Sequence, residues 1–175
     1  MCITDCALAL SVTATKVKVF SRSASIDEEL AQFLRTDGDK NWESPAIELG
    51  ENAKFEAKSK KFKIESAAED PDSGDLARFR FFLTKKGQRK EPLSADAMSS
   101  VTVLAGEKFL ILEPLVIIDT EKWVKTDLAD SAKLSPYFKI LRFSPKTSTL
   151  LVAQFDCAYD CPKDNKTSFW KITFK

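Results

Sequence analysis

Apolar and polar residues alternate along much of the chain, and this period of two predicts β-strands. The first alternating stretch covers residues 8–20. Its phase changes near residues 14–15, which predicts a bulge or bend there, and Val17 and Val19 continue the apolar side afterwards. Residues 76–83 repeat the alternation, with phenylalanine and leucine inward and arginine outward. The pattern therefore predicts strands with one buried face.

One stretch has the period of a helix instead. Ser25 and Glu28 form a capping box, and the apolar residues that follow fall on one face, so we predict a short helix near residues 25–35. Residues 115–118 are apolar throughout, which is typical of a strand buried on both faces. Together with about nine strands, this predicts a mainly β fold. We expect residues 1–175 to form a single antiparallel β-sandwich domain, jelly-roll-like, with a closed β-barrel as the alternative.

The composition narrows the chemistry and the partners. The chain contains no histidine, which removes Ser-His and Cys-His nucleophile pairs, His-ligated zinc and His as a general base. Lys and Arg number 27 against 26 Asp and Glu, so the net charge of +1 provides no long-range attraction for nucleic acid. The sequence contains no window of about 18 apolar residues, so we expect no transmembrane segment. The first ten residues carry an acid and no basic start, so no signal peptide is expected and a cytoplasmic location is favoured.

The segment after the predicted helix partly matches a calcium-binding loop. Asp37, Asp39 and Asn41 occupy positions 1, 3 and 5 of an EF-hand loop, and Glu48 occupies position 12. Trp42 stands where that loop needs glycine for a sharp turn. A polar loop between a helix and a strand explains the same residues, so calcium is a hypothesis beside the expectation of no cofactor.

Basic residues cluster in two segments that the strand pattern places on one sheet. Eight of them are candidates for a ligand-binding cationic face: Lys58, Lys60, Lys61, Arg78, Arg80, Lys85, Lys86 and Arg89. Such a face suits phosphate, a sulfated glycan or an acidic partner. The alternative is a solvated strand face whose lysines guard an edge against aggregation.

The four cysteines form two pairs with the same spacing, Cys2 with Cys6 and Cys157 with Cys161. Disulfides and reduced thiols are the main alternatives, and a zinc site built from all four thiolates is the third. A domain of this size does not need bridges to be stable, so the spacing does not choose between them.

The tryptophans are candidates for stacking on a ligand. Trp42 and Trp123 sit among polar neighbours, and we expect these two to be exposed. Trp170 shares a predicted strand face with Ile172 and Phe174, which points it towards the core.

A non-catalytic binding or interaction module, lectin-like, inhibitor-like or effector-like, agrees best with these features. A self-assembling structural protein, such as a coat or inclusion-type subunit, is the alternative, because a net charge near zero favours association and a homo-oligomer. An enzyme using paired carboxylates ranks third. A protein or glycan partner is expected rather than nucleic acid.

Overall fold

A computed structural model describes residues 10–21, 23–44, 56–58, 61–68, 79–87, 93–97, 101–104, 108–112, 116–134, 137–156 and 165–175. The chain divides into two compact units. The first draws its described residues from Met1–Leu10 and Ala46–Asp127, and the second draws them from Ser11–Pro45 and Leu128–Lys175. The second unit is therefore built from two segments that are remote in sequence.

The first unit contains two four-stranded antiparallel sheets, each of which is a meander of consecutive strands. One sheet consists of β2 (Glu56–Lys58), β3 (Phe62–Ala68), β4 (Phe79–Lys85) and β5 (Leu93–Ala97). The other consists of β6 (Val101–Leu104), β7 (Phe109–Leu112), β8 (Val116–Asp119) and β9 (Val124–Asp127). Every strand pair within them is antiparallel, as the alternating pattern predicts.

Both sheets of the first unit contribute to one apolar core. Its buried members are Phe62, Ile64, Phe81 and Leu83 from one sheet, and Leu110, Leu112, Ile118 and Trp123 from the other sheet and the turn after β8. Side chains from two facing sheets that share a core form a sandwich. In β8, Ile117 and Ile118 are both fully buried, which confirms the prediction from the uninterrupted apolar run.

The second unit contains one four-stranded antiparallel sheet in the order β1-β12-β11-β10. Its strands are β1 (Val12–Ser21), β10 (Phe138–Ser144), β11 (Thr149–Phe155) and β12 (Lys166–Phe174). Two helices accompany it, α1 (Ile26–Thr36) and α2 (Leu128–Ala132). The mainly β class with antiparallel sheets is confirmed, and none of the three sheets is closed into a barrel.

Helix α1 begins and ends where the sequence predicts. The Ser25 hydroxyl accepts a hydrogen bond from the backbone N of Glu28 at 3.4 Å, which satisfies one free amide of the first turn. At the other end the backbone N of Asp37 donates to the carbonyl of Phe33 at 2.8 Å. Leu30 is buried on the face that packs against the sheet.

The helix covers one face of the sheet through an aromatic cluster. Phe169 of β12 is fully buried, and its ring meets Phe20 edge-on at 4.8 Å and Phe33 at 6.0 Å between centroids. Edge-on aromatic pairs add to the free energy gained from burying apolar area. This cluster joins α1 to β1 and β12.

The bulge in β1 lies two residues later than the pattern indicates. Its register with β12 shifts between Lys16 and Lys18, and after the shift Phe20 turns inward. Val17 and Val19 are therefore 37% and 48% exposed, so their expected inward placement is wrong. The large phenylalanine takes the buried position because it buries more apolar area than a valine does.

Helix α2 is an addition to the predicted elements. It has five residues, which is too short for a helical period to be visible in the sequence. Leu128 at its start is fully buried. No helix within the described residues is long and apolar enough to cross a membrane.

Candidate functional site

The loop that follows α1 folds around two aspartate side chains. Oδ2 of Asp37 accepts hydrogen bonds from the indole Nε1 of Trp42 at 2.7 Å and from the backbone N of Asp39 at 3.3 Å. Oδ1 of Asp39 accepts from both the backbone N and Nδ2 of Asn41 at 2.9 Å. A carboxylate that accepts from the amide two residues ahead is an Asx turn. The two carboxylates therefore shape this loop.

A lysine from the sheet ties the loop down. Nζ of Lys171, in β12, donates to Oδ1 of Asp37 at 2.6 Å and lies 5.6 Å and 5.5 Å from the ring centroids of Phe33 and Trp42. The side chains of Asp37 and Lys171 are only 12% and 29% exposed. Because water screens this pair less than it screens an open surface pair, the attraction between the two charges is stronger.

Both loop aspartates have lowered pKa values. Burial raises the pKa of Asp37, but hydrogen bonds from Lys171 and Trp42 and the positive charge of Lys171 outweigh burial, so the pKa lies below 3.8. Burial likewise raises the pKa of Asp39, and hydrogen bonds from Asn41 bring it below the same value. Near neutral pH both groups are anions, and Lys171 balances the charge of Asp37.

The loop also pairs with the edge of the sheet. The backbone N of Glu43 donates to the carbonyl of Phe143 at 2.7 Å, and the backbone N of Phe143 donates back at 2.9 Å. Strand β10 is an edge strand, so this bridge covers part of its open side. The bridge and the Lys171 contact hold both ends of the loop.

A concavity of about 710 Å³ is lined by this loop, by the turn between β10 and β11, and by the ends of β11 and β12. This volume lies within the range of roughly 300–1,000 Å³ that is usual for small-molecule sites. Lys146, Lys171 and Lys175 bring ammonium groups to the lining. Asp39 brings one carboxylate, and Trp42 brings an indole. Most residues of the lining are thus polar or charged by type, and one is aromatic.

Three threonines add hydroxyl groups to the lining. Oγ1 of Thr149 donates to the carbonyl of Thr147 at 3.2 Å and lies 2.9 Å from Oγ1 of Thr173. Either hydroxyl can be the donor in the second contact, and the oxygen of Thr173, with two lone pairs, keeps acceptor capacity in both arrangements. Thr149 and Thr173 are also in register with Thr13 of β1. Thr13, Thr149 and Thr173, the threonine row, cross three neighbouring strands on one face. Thr149 and Thr173 line the concavity together with Thr147, which is not part of the row.

The two described aspartates of the predicted calcium loop accept hydrogen bonds from other groups of the protein. Asp37 accepts from Lys171 and Trp42, and Asp39 accepts from Asn41. Glu48 lies outside the described residues, so the complete loop stays a prediction. Within the part of the chain that the structure describes, no group of three or more His, Cys, Asp or Glu side chains is placed to hold a metal ion.

Part of the predicted cationic face lies on β2 and β4 and on the turns before β3 and after β4. Three of its residues are outside the described ranges: Lys60, Arg78 and Arg89. The other five lie within them: Lys58, Lys61, Arg80, Lys85 and Lys86. The backbone N of Lys86 donates to the carbonyl of Lys61 at 3.0 Å, so these two exposed residues are neighbours.

The surroundings of these five residues are mixed in charge. Nζ of Lys85 donates to the carbonyl of Glu121 at 3.1 Å and lies 5.7 Å from the ring centroid of Trp123. These contacts stabilise the turn after β8. Arg80 stands in register with Asp96 of β5. Lys58 stands in register with Lys63 of β3, so the sheet has both like and unlike charged pairs, and a single cationic face there stays a prediction.

The aromatic and cysteine predictions have different outcomes. Trp123 is only 7% exposed and adopts a left-handed backbone angle, with φ of 61°, in the turn after β8, so its expected exposure is wrong. The turn closes on the side chain of Asp119, and this folds the indole into the core. Trp170 is half-buried beside the ammonium of Lys16, which lies 4.9 Å from its ring centroid.

The four cysteines lie outside the described residues, so disulfides and thiols both stay predictions: Cys2, Cys6, Cys157 and Cys161.

The lysines and threonines of the concavity were not among the residues predicted from the sequence. A weak signal was present in residues 171–175, where Lys171, Thr173 and Lys175 alternate with two apolar residues at the end of a strand. Such alternation predicts a polar face but does not say which loop covers it. Comparison with protein families, with curated proteins and with solved structures finds no match to this chain.

Proposed function

We propose that this protein is a non-catalytic binding module whose ligand occupies the concavity at the end of the second unit's sheet. The observation that carries the proposal is the gathering of three ammonium groups, three threonine hydroxyls and one indole around about 710 Å³. Donors, acceptors and an aromatic wall that converge on one space are characteristic of a ligand site. The lack of histidine weighs against an enzyme, because it removes the commonest general base.

Hydrogen bonds within the protein order the side chains that line the concavity in the absence of a ligand. Asp37 fixes Lys171 and Trp42 by hydrogen bonds of 2.6 and 2.7 Å, and the Glu43–Phe143 bridge fixes the far end of the loop. A site whose side chains are already ordered loses less conformational entropy on binding. This supports recognition of a small ligand or of the end of a larger one.

The charge balance supports a protein or glycan partner over nucleic acid. The whole chain carries a net charge of +1, too little to attract a phosphate backbone from a distance. The concavity concentrates its lysines at one point. Such a site fits a single polar group better than it fits a long polyanion.

The test is an NMR titration of the full chain with a panel of saccharides, nucleotides, amino acids and short peptides. We expect at least one compound to shift the amide signals of Thr147, Thr149 and Thr173, and we expect Lys146→Glu to weaken its binding. Lys166→Glu is the matched control, because Lys166 is an exposed lysine at the opposite end of β12. If no compound shifts these signals, or if both variants weaken binding equally, the proposal is wrong.

Self-association is the second candidate, and a specific observation favours it. Strand β1 lies at the edge of its sheet, and its Val17 and Val19 are 37% and 48% exposed. An exposed apolar edge strand is a template for pairing with another chain. Light scattering after size exclusion separates the candidates, since a mass near 19.6 kDa supports the binding module and a discrete larger assembly supports the building block.

A further inference from the structure

Positive charge exceeds negative charge in the lining of the concavity. Lys171 is balanced by Asp37 at 2.6 Å, whereas Lys146 and Lys175 form no ion pair with any residue that the structure describes. The remaining carboxylate is Asp39, and both of its hydrogen bonds from Asn41 are made by neutral amides. Among the side chains of the described lining, the charges of Lys146 and Lys175 thus exceed the charge of Asp39. A ligand with a negative group gains more here than a neutral ligand of the same shape.

The threonine hydroxyls offer an acceptor oxygen, to which a hydroxyl group of the same ligand can donate. Oγ1 of Thr149 lies within hydrogen-bond distance of the carbonyl of Thr147, at 3.2 Å, and of Oγ1 of Thr173, at 2.9 Å. Oγ1 of Thr173 is left as an acceptor beside the concavity. A ligand hydroxyl can donate to it, whereas a fully ionised inorganic oxyanion cannot. The exposed hydroxyl of Thr13 continues the threonine row beyond this point.

The size and the aromatic wall exclude a lone ion as a good fit. A concavity of about 710 Å³ holds a body much larger than one oxyanion. Trp42 lines it with an indole that is fixed through Nε1 on Asp37. An indole face packs against the apolar C–H face of a ring while polar groups elsewhere bind its hydroxyls.

We infer that the concavity binds an acidic saccharide, a sugar that carries a carboxylate or sulfate group. Lys146 and Lys175 hold the anionic group, Thr173 accepts from a ring hydroxyl, and Trp42 packs against the ring. This inference rests on the proposed function and names its ligand class.

The test compares matched ligand pairs that differ only in the acidic group. The full chain is titrated by calorimetry and NMR with methyl glucuronide against methyl glucoside, methyl galacturonide against methyl galactoside, glucose 6-sulfate against glucose, and inorganic sulfate alone. We expect one acidic member to bind with a Kd of about 1 mM or tighter, and its neutral partner at least about tenfold more weakly. Replacement of one ammonium, in Lys146→Gln or Lys175→Gln, should raise the Kd about five- to tenfold.

Two further variants make the result specific. Thr173→Val should weaken the acidic sugar more than inorganic sulfate, because only the sugar has a hydroxyl that can donate to the lost oxygen. Lys166→Gln, at the far end of β12, should leave every Kd unchanged. Circular dichroism and melting temperature verify that each variant is folded.

The outcomes separate the inference from the proposed function. Equal affinity for acidic and neutral sugars, or binding of inorganic sulfate alone, overturns the acidic saccharide. Failure of every acidic sugar to bind overturns it as well. In each case the binding module survives if the wider panel yields a ligand that shifts the threonine signals, and it fails if no such ligand exists.

Discussion

Removal of the ammonium of Lys171 should destabilise the second unit. Lys171→Met keeps an unbranched stem next to the rings of Phe33 and Trp42 but removes the charge. The carboxylate of Asp37, which is 12% exposed, then loses its cation and keeps only its bonds from Trp42 and the backbone of Asp39. Loss of one partner from a buried pair leaves a charge that is poorly solvated.

The distance between Lys171 and Asp37 and the burial of the two side chains set limits on the loss of free energy of unfolding. Two unit charges at the observed 2.6 Å attract each other by about 1.6 kcal/mol in water and about 6 kcal/mol at an effective dielectric of 20, before desolvation is subtracted. Exposed pairs contribute about 0.2–1 kcal/mol, and breaking a fully buried pair costs about 3–5 kcal/mol. With side chains 12% and 29% exposed, this pair lies between the two cases. We expect Lys171→Met to lower the free energy of unfolding by about 2 kcal/mol.

A double-mutant cycle measures the interaction itself. Asp37→Asn keeps an oxygen that can accept from Trp42 and should cost about 1.5 kcal/mol, because Lys171 can turn towards water. Urea unfolding of the two single variants and the double variant at pH 7 should give a coupling energy of about 1–1.5 kcal/mol. Lys146→Met is the control and should change stability by less than about 0.5 kcal/mol. A coupling energy below about 0.3 kcal/mol would refute the reasoning that partial burial strengthens this pair.

Three further predictions concern the helix, the core and the pH dependence. Phe169→Ala should lower the free energy of unfolding by about 3–5 kcal/mol in urea, because it empties a fully buried site against Phe20. Ser25→Ala should cost about 1 kcal/mol and reduce the helical circular dichroism signal, since the amide of the first turn loses its acceptor. Because the pKa values of Asp37 and Asp39 are lowered on folding, both carboxylates stabilise the fold above the ordinary value of 3.8, and this stability should disappear as the pH falls through the lower folded values.

Each of these predictions has its own control. Phe169→Leu should lose clearly less than Phe169→Ala, and equal losses would contradict the cavity argument. Ser25→Thr keeps a hydroxyl cap, so a loss as large as that of Ser25→Ala would show that capping is not the cause. Asp37→Asn should flatten the acid limb of the stability curve. An unchanged limb in that variant would assign the acid sensitivity to other groups.

Local features could be predicted from the sequence because their causes lie within a few residues. The capping box of Ser25 and Glu28 defines the start of α1, and the observed helix, Ile26–Thr36, follows it directly. The apolar run that includes Ile117 and Ile118 yields a strand buried on both faces. Alternation predicts antiparallel strands throughout, and it does so because the two faces of a strand follow directly from its period of two.

The position of the bulge in β1 already needed the neighbouring strand. The pattern places the phase change near residues 14–15, and pairing with β12 places it between Lys16 and Lys18. Which residue turns inward depends on what it meets there, and Phe20 meets the ring of Phe169. The register places Val19 opposite Ser168, on the same face as Val12 opposite Phe174, whereas Phe20 lies on the face of Phe169, which α1 covers. Val17 and Val19 stay exposed.

The candidate site was decided only by the tertiary structure. Lys171 and Asp37 are 134 positions apart in the chain, so no local pattern connects them. Asp37 and Asp39, which occupy calcium-ligand positions in the sequence pattern, accept hydrogen bonds from an ammonium, an indole and backbone or side-chain amides. The sequence by itself determined strands, the main helix and the lack of histidine chemistry, because these depend on period and composition. The pairing of β11 with β12 and the bridge from the α1 loop to β10 decided the concavity, because a binding site needs groups that converge in space.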